Sequence, residues 1–177
     1  MVKTIYFDMD GVLADWVHGF EKLFPHVPYS QYNALTREEQ KPYRKKIDGN
    51  GYFYQQLRPF TKVIDALVEL KRLGYQVEIL SSVGKMFPDL VIQQKQAWLK
   101  EHVEIELVAN FVNKSEYKAR YAHKNALLLD DRARSVNPFL KAGGKSIIFH
   151  GDQVSEPQQL ITLVEQSFDE QKCFQKD

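Results

Sequence analysis

The sequence predicts an α/β protein built around a mainly parallel sheet that is flanked by helices. Short apolar segments alternate with segments in which apolar residues recur at helical spacing, which is the pattern of repeated strand, helix and strand units. Polar clusters follow the apolar segments, as expected when functional groups collect at the carboxyl ends of parallel strands. With 177 residues and 44% hydrophobic content, the chain can bury one core and carry a small insertion.

The N-terminal elements begin with a strand at residues 3–7, KTIYF, which is rich in β-branched and aromatic residues. Gly11 follows it and can adopt backbone angles that other residues avoid. Residues 15–24 carry apolar positions at helical spacing, whereas residues 25–57 are polar and aromatic and contain three prolines. We therefore predict a small helical cap inserted after the first strand.

The rest of the chain returns to a regular alternation. Apolar residues at helical spacing predict a helix that ends at Leu73, because Gly74 stands where a C-terminal cap belongs. Pro88 suits the first turn of a helix, and Pro138 is expected to shorten or kink another. The remaining predicted strands are 75–82, 105–109, 126–131 and 146–149, and the remaining predicted helices are 88–99, 113–122, 133–142 and 156–168.

These elements divide the chain into two predicted domains. Residues 1–15 and 58–177 form the core, and residues 16–57 form the cap. The continuous apolar run at 126–129 is typical of a strand that is covered on both faces of a sheet. The polar tail to Asp177 is expected to fray.

The composition limits the partners and the compartment. Twenty-four Lys and Arg against 23 Asp and Glu leave a net charge of +1, so neither a long nucleic acid nor a membrane is expected as a partner. The single cysteine, Cys173, cannot form an internal disulfide. We see no signal peptide and no apolar run of about 18 residues, which favours a cytoplasmic protein. No heptad pattern marks an interface, although the cap aromatics could support a homodimer.

Two carboxylates follow the first strand. Asp8 and Asp10 are separated by one residue, so in an extended chain they project to the same side, on the order of 7 Å apart. Their repulsion is relieved either by protonation or by a cation, and hard oxygen ligands favour Mg²⁺. The alternative is that acids at a strand end form a turn or cap a helix, and we prefer that interpretation for Asp15.

A second acid pair, Asp130 and Asp131, ends the predicted strand ALLL. Because the carboxyl ends of parallel strands meet over one crevice, four carboxylates would converge there and would require a metal. The alternative role, an N-cap for the helix that begins near Ala133, explains only one of the two acids.

Hydroxyl and amino groups could bind a phosphate at the same edge. Ser81 and Ser82 end the strand QVEIL and offer a hydroxyl and backbone N–H groups to phosphoryl oxygens, although serines are also common caps. A lysine is needed to balance the phosphate charge. The candidates are Lys114 and Lys118, four residues apart and thus on one face of a helix, although either could simply be solvated.

The motifs DMDGVLAD, ILSS and LLLDDR, with a lysine before the last, occur in the order of the four motifs of the haloacid dehalogenase superfamily. The chain resembles in particular the 5′(3′)-deoxyribonucleotidases, for which DMDGVLAD is characteristic. The resemblance covers residues 3 to about 149 and is poor in the insertion. It implies a Rossmann-like core, a small helical cap and Mg²⁺-dependent hydrolysis of a phosphomonoester, in this branch a nucleoside monophosphate.

The resemblance also implies catalytic roles. Asp8 would attack phosphorus and form an aspartyl-phosphate. Asp10 would protonate the leaving oxygen and later accept a proton from water, and we expect neighbouring anions to favour its protonated form. Ser81 would bind a phosphoryl oxygen. The family spacing favours Lys118, 13 residues before Asp131, over Lys114, 17 residues before it.

The implied metal site and substrate contacts use the same strand ends. Mg²⁺ would be held by a carboxylate oxygen of Asp8, the backbone carbonyl of Asp10 and Asp131, with Asp130 in or just behind the ligand shell. Gly11 would let the backbone approach the phosphate, Ser82 would assist, and Arg132 would give electrostatic support. Trp16 would stack on a nucleobase, or alternatively anchor the cap to the core.

Two other segments and two other functions are weighed beside these roles. Residues 52–54, Tyr-Phe-Tyr, could complete an aromatic slot, but core packing is the preferred interpretation. Residues 44–46, Arg-Lys-Lys, are expected to form a solvated helix face rather than a phosphate patch. The nearest alternative function is a phosphatase of the same superfamily that acts on a sugar phosphate or a polynucleotide 3′ end. A non-catalytic module that binds Mg²⁺ or a nucleotide is a more distant alternative.

Overall fold

The computed structural model describes residues 2–169 of the chain. Its centre is a five-stranded sheet with the order β3-β2-β1-β4-β5, in which every pair of neighbouring strands is parallel. The predicted α/β class is therefore confirmed. The expected frayed tail to Asp177 and the cysteine at 173 lie outside the described residues. The strands are β1 (Thr4–Phe7), β2 (Gln76–Ser82), β3 (Val108–Val112), β4 (Ala126–Asp130) and β5 (Lys145–Ile148).

The centre of the sheet consists of β1 and β4, whose residues are all buried. Their continuous apolar sequences follow from this position, because helices cover both faces of the sheet. Phe7 at the end of β1 is paired in register with Ile79 on β2 and Leu129 on β4. The residues that follow these positions therefore emerge together at one edge of the sheet.

Within residues 2–169, seven α-helices surround the sheet or belong to the insertion. Helix α1 begins after Asp15, whose carboxylate accepts a hydrogen bond of 3.0 Å from the His18 backbone N–H, as predicted for an N-cap. Pro138 lies inside α6 without ending it. The helices are α1 (Trp16–Leu23), α2 (Tyr29–Ala34), α3 (Arg37–Asp48), α4 (Thr61–Arg72), α5 (Pro88–His102), α6 (Ala133–Lys141) and α7 (Pro157–Asp169).

The third strand lies later in the chain than predicted. It spans Val108–Val112 rather than 105–109, because the Asn110 side chain donates to the Glu78 carboxylate at 2.8 Å and to the Ile79 carbonyl at 3.1 Å and so fixes the register on β2. This strand is at the edge of the sheet and is partly exposed, so its apolar pattern is weak.

The predicted helix at 113–122 is a 3₁₀ helix over Ser115–Tyr121. In a 3₁₀ helix, residues three apart share a face, so Lys114 and Lys118 do not lie on one face as predicted. Lys114 precedes the helix and is exposed, whereas Lys118 is within it and buried.

The insertion is helical, as predicted, and it packs on the sheet through aromatic residues. The Trp16 ring stacks on Phe20 with centroids 5.4 Å apart, and Tyr32 lies 5.9 Å from Trp16. These rings belong to the same continuous hydrophobic cluster as Ile5 and Phe7 of β1. Within residues 2–169, no helix combines the length and the apolar character needed to cross a bilayer.

Candidate active site

The carboxyl ends of three adjacent strands bring the predicted polar residues together. Asp8 follows β1, Ser81 and Ser82 end β2, and Asp130 ends β4 and is followed by Asp131. The Asp8 backbone N–H donates to the Leu129 carbonyl at 2.9 Å, which extends the pairing of β1 with β4 up to the acids. The convergence that was expected from strand order is therefore present in the structure.

Lys118 connects two of these acids. Its side chain is 1% exposed, and Nζ lies 2.8 Å from Oδ1 of Asp8 and 2.6 Å from Oδ2 of Asp130. Burial opposes the charge, but Asp8 and Asp130 raise the pKa of Lys118 above its ordinary value. Burial alone would raise the pKa of Asp8, yet the Lys118 and Lys95 charges hold it below its usual range. Asp8 is therefore an ionised, buried carboxylate with a fixed direction.

Lys95 is a second buried lysine, which the sequence reasoning missed. Its Nζ lies 2.8 Å from Oδ2 of Asp10, 2.8 Å from the Ser81 hydroxyl and 3.0 Å from the Ser82 carbonyl oxygen, so all three N–H groups have acceptors. The nearest charged group to Asp10 is thus the Lys95 ammonium, which the sequence reasoning did not anticipate.

A signal for Lys95 was available in the sequence. Helix α5 buries Val91, Gln94, Lys95 and Trp98, which are spaced as one face of a helix. Two polar residues on an otherwise apolar face must find partners in the interior. Gln94 does so by accepting from the Tyr54 backbone N–H at 2.9 Å, and Lys95 by binding Asp10 and Ser81.

Three carboxylates form a candidate metal site. One oxygen each of Asp8, Asp130 and Asp131 lies within 4.8 Å of the others. Oδ1 of Asp131 is buried and has no hydrogen-bond partner among residues 2–169. Burial, reinforced by the charges of Asp8 and Asp130, raises the pKa of Asp131 to about 7 despite Arg132. An orphaned oxygen within an all-carboxylate cluster fits a divalent cation with hard-ligand preferences.

Asp130 and Asp10 differ from Asp131 in their surroundings. Asp130 is fully buried and accepts hydrogen bonds from Lys118 and from the Arg132 backbone N–H at 3.0 Å, so both its oxygens are engaged. This is the position of a group just behind a ligand shell. The side chain of Asp10 is absent from the cluster because Lys95 holds it, which leaves the backbone carbonyl as its predicted metal ligand.

Gly11 is required for the close approach of Asp131. Its φ is +82°, and a Cβ at this position would lie 2.7 Å from Cγ of Asp131. The prediction that this residue needs unusual backbone angles is correct. The Asp131 carboxylate occupies the space beside Gly11 that a side chain would fill, whereas the sequence reasoning assigned this space to a phosphate.

A cavity of about 450 Å³ lies above Asp8 and Asp10. Helix α3 contributes Arg44 and Asp48 to its wall, and the Tyr54 hydroxyl donates to Asp48 at 2.6 Å. Burial raises the pKa of Asp48 and raises that of Tyr54 well above its usual value. The basic run 44–46 therefore lies in two environments, because Arg44 lines the cavity whereas the two lysines of the run, Lys45 and Lys46, are exposed. The expectation of a solvated face is wrong for Arg44.

The predicted substrate contacts differ in their access to the cavity. Ser81 has no exposed surface, and of the two serines only Ser82 lines the cavity. Arg132 and Trp16 also line it, but Trp16 is only 2% exposed, with Phe20 stacked against its ring. The anchoring role of Trp16 is therefore visible in the packing, and stacking on a nucleobase stays a prediction.

The aromatic segment at 52–54 also divides between environments. Phe53 and Tyr54 are buried, as the core-packing interpretation predicts, and Tyr54 additionally reaches the cavity wall. Tyr52 is 67% exposed. Lys114 lies at the cavity rim with its Nζ 5.5 Å from the centroid of Tyr117.

No protein-family model matches the chain. Among solved structures, a dehalogenase with an intermediate complex aligns with a TM-score of 0.61 and 15% identity over 92% of this chain and 96% of its own. An L-2-haloacid dehalogenase gives 0.58 and 13% over 93% and 100%. A D,D-heptose 1,7-bisphosphate phosphatase from Burkholderia thailandensis gives 0.54 and 10% over 92% and 98%.

The chain therefore has the fold of haloacid dehalogenase-type hydrolases over most of its length. This fold is the Rossmann-like architecture that the sequence predicted. The strand ends that carry Asp8 and Asp130 are where ligands bind in open parallel sheets. At this level of identity the likeness concerns the fold, and the chemistry must be argued from the side chains.

Proposed function

We propose that the protein is a Mg²⁺-dependent phosphomonoesterase that acts on nucleoside monophosphates, in the manner of a 5′(3′)-deoxyribonucleotidase. The observation that carries this proposal is the arrangement around Asp8. An ionised carboxylate lies at the end of a central strand, is fixed by Lys118 and has an oxygen within 4.8 Å of an oxygen of Asp131, whose Oδ1 has no hydrogen-bond partner among residues 2–169. A buried, oriented anion beside a candidate cation site is suited to nucleophilic attack on an electron-poor phosphorus.

In the first chemical step, an Asp8 oxygen forms a bond to phosphorus while the ester oxygen of the substrate leaves. Asp10 gives a proton to that leaving oxygen once the phosphate is bound, because the negative charge of the phosphate favours the protonated carboxyl beside Lys95. In the second step, Asp10 accepts a proton from the water that attacks the phosphorus of the aspartyl-phosphate, which releases inorganic phosphate and restores Asp8. Lys95 fixes Oδ2 of Asp10, which leaves the other oxygen for these proton transfers.

The remaining groups orient the phosphate. Lys118 lies beside Asp8, where its ammonium can balance the charge of the phosphoryl oxygens, and Ser82 lines the cavity next to them. Asp8 and Asp131 would hold Mg²⁺ together with the Asp10 carbonyl, and the ion would offset the repulsion between the carboxylates and the incoming phosphate. Asp130 orients Lys118 from behind.

The nucleoside assignment rests on the sequence motifs and on the cavity. Its volume of about 450 Å³ falls in the range of small-molecule sites, which is roughly 300–1,000 Å³. Trp16 and Tyr54 are among the residues that line it. A homodimer stays an expectation, and the insertion aromatics on which it rested are largely packed against one another.

The test is release of inorganic phosphate from purified protein with Mg²⁺. Asp8→Asn should lower kcat by at least about 10³-fold, because it removes the nucleophile, and EDTA should abolish turnover of the wild type. Asp65→Asn, the same substitution at an exposed acid on α4, is the matched control and should leave activity unchanged. Full activity in Asp8→Asn would contradict the mechanism.

A substrate panel tests the nucleoside assignment separately. We expect deoxyribonucleoside monophosphates to be hydrolysed faster than sugar phosphates of the same charge. Faster release from sugar phosphates, or from the 3′-phosphate of an oligonucleotide, would replace the nucleotidase with another phosphatase. No release from any of them would favour the non-catalytic binding module.

A further inference from the structure

The cavity above Asp8 holds more positive charge than one phosphate group requires. Seven of the charged side chains that line it are cationic and four are anionic. All four acids already accept a hydrogen bond or ion pair from a protein side chain. In the proposed mechanism the reacting phosphate is balanced by Lys118, which pairs with Asp8 and is not one of the seven. An excess of cationic groups in a cavity attracts a ligand that carries more than one anionic group.

The excess is concentrated in four arginines from two elements that both line the cavity. We name Arg37, Arg44, Arg132 and Arg134 the arginine cluster. Arg37 and Arg44 come from α3 of the insertion, whereas Arg132 and Arg134 lie at the start of α6. Repulsion among like charges makes such a grouping unfavourable unless an anion is shared between them.

Two members of the cluster lack an acidic partner. No carboxylate of residues 2–169 lies within 4.0 Å of the guanidinium nitrogens of Arg44 or Arg134. Nε of Arg134 is buried and has no hydrogen-bond partner among residues 2–169. Burial, together with the charges of Arg132, Arg44 and Arg37, lowers the pKa of Arg134 below its ordinary value. A buried N–H donor without an acceptor is costly, so this group is prepared for a ligand.

Trp16 holds two members of the cluster in place. The guanidinium carbon of Arg44 lies 5.3 Å from the centroid of the Trp16 ring, and that of Arg132 lies 6.0 Å from it. The aromatic face attracts these cations without neutralising them, so their N–H groups keep their full charge for an anion. The guanidinium fork matches two oxygens of a phosphate better than a lysine does.

We propose that the arginine cluster binds a second phosphate group of the substrate, distinct from the group that reacts at Asp8. The proposal rests on the phosphatase function proposed above and narrows its substrate class to small molecules with two phosphate groups, such as a nucleoside 3′,5′-bisphosphate. One ester is hydrolysed with one water, and the other phosphate is retained on the product. A long nucleic acid would need a continuous basic stripe outside the cavity, which a net charge of +1 does not favour.

The experiment compares thymidine 3′,5′-bisphosphate with thymidine 5′-monophosphate. Affinities are measured by calorimetry on wild-type protein in EDTA, where no turnover is expected, and kcat/KM is measured with Mg²⁺. We expect the bisphosphate to bind at least about 10-fold more tightly. Arg44→Gln and Arg134→Gln should each remove most of this advantage while changing monophosphate affinity less than about 3-fold. Arg44→Lys should retain part of it.

Arg72→Gln is the control, because Arg72 is exposed on α4 and does not line the cavity. Thermal unfolding checks that each variant is folded. Equal affinity of the wild type for the two ligands, or equal weakening of both ligands in the cluster variants, would overturn the proposal. A bisphosphate preference in binding without phosphate release would leave the second phosphate site in place and refute the phosphatase function. Phosphate release without a preference for the bisphosphate would support the phosphatase function and refute the second phosphate site.

Discussion

Replacing Gly11 with alanine should displace the Asp131 carboxylate and weaken Mg²⁺ binding. A Cβ at Gly11 would lie 2.7 Å from Cγ of Asp131, whereas ordinary contact begins at 3.4 Å. The Asp131 side chain must therefore retreat by roughly 0.7 Å or more. This retreat takes its oxygens away from Asp8 and Asp130, with which they form a cluster within 4.8 Å.

The matched control is Gly74→Ala. Gly74 has a φ of +92° and nothing within 4 Å of its Cβ position, so alanine there suffers the same backbone strain without a clash. The strain costs about 1–2 kcal/mol in either variant, which corresponds to a fall in Tm of roughly 2–8 °C for a chain of this size. Only Gly11→Ala should also lose Mg²⁺ affinity, by about 10- to 100-fold, as when a group that orients a metal ligand is disturbed.

Calorimetric titration with Mg²⁺ measures this affinity directly. The Mg²⁺ concentration that gives half-maximal phosphate release provides a second, functional value. Unchanged Mg²⁺ affinity in Gly11→Ala would refute the assignment of Asp131 as a metal ligand. An equal loss in Gly74→Ala would instead attribute the effect to strain or to a general loss of stability.

Two further predictions concern the buried charges. Lys95→Met should lower the free energy of unfolding by about 2–3 kcal/mol and kcat by about 100-fold, because three hydrogen bonds of a buried ammonium are lost. The control, Lys100→Met on the exposed face of α5, should change neither quantity. Urea unfolding that is identical to wild type would contradict those contacts. In EDTA, the contribution of Asp131 to stability should fall by about 2–3 kcal/mol from pH 5 to 8, mostly below pH 7. The folded chain keeps a proton on Asp131, whose pKa is about 7, whereas the unfolded chain releases it near the ordinary pKa of 3.8. This pH-dependent loss of stability should be absent in Asp131→Asn, and Mg²⁺ should abolish it in the wild type. Equal pH profiles of stability for Asp131→Asn and wild type would disprove the raised pKa.

The parts of the site that the sequence predicts are those set by strand order. The proximity of Asp8 and Asp131 could be predicted because each follows an apolar strand segment, and the carboxyl ends of parallel strands lie at one edge of the sheet. Lys118 was preferred to Lys114 because the spacing in the resembled family favours it. By contrast, Lys95 comes from the middle of α5, and its partner Asp10 is 85 positions away in the chain.

The arginine cluster was unpredictable for a related reason. A net charge of +1 averages over the whole chain, but Arg44 and Arg134 meet only because the insertion folds over the end of the sheet. Composition therefore gave no information about a basic cavity. The third strand was misplaced for another local reason, since the Asn110 side chain rather than an apolar pattern sets its register.

The two buried lysines give the two neighbouring acids different electrostatic surroundings. Lys118 is shared between Asp8 and Asp130, whereas Lys95 is shared between Asp10 and neutral oxygens. If Asp8 is the nucleophile, its negative charge passes to the phosphoryl oxygens when the ester forms, and Lys118 can follow that charge without moving. Asp10 keeps its own cation throughout, so phosphorylation of Asp8 need not disturb the group that activates water. Separate counterions are thus a means by which one strand end could support two consecutive carboxylate roles.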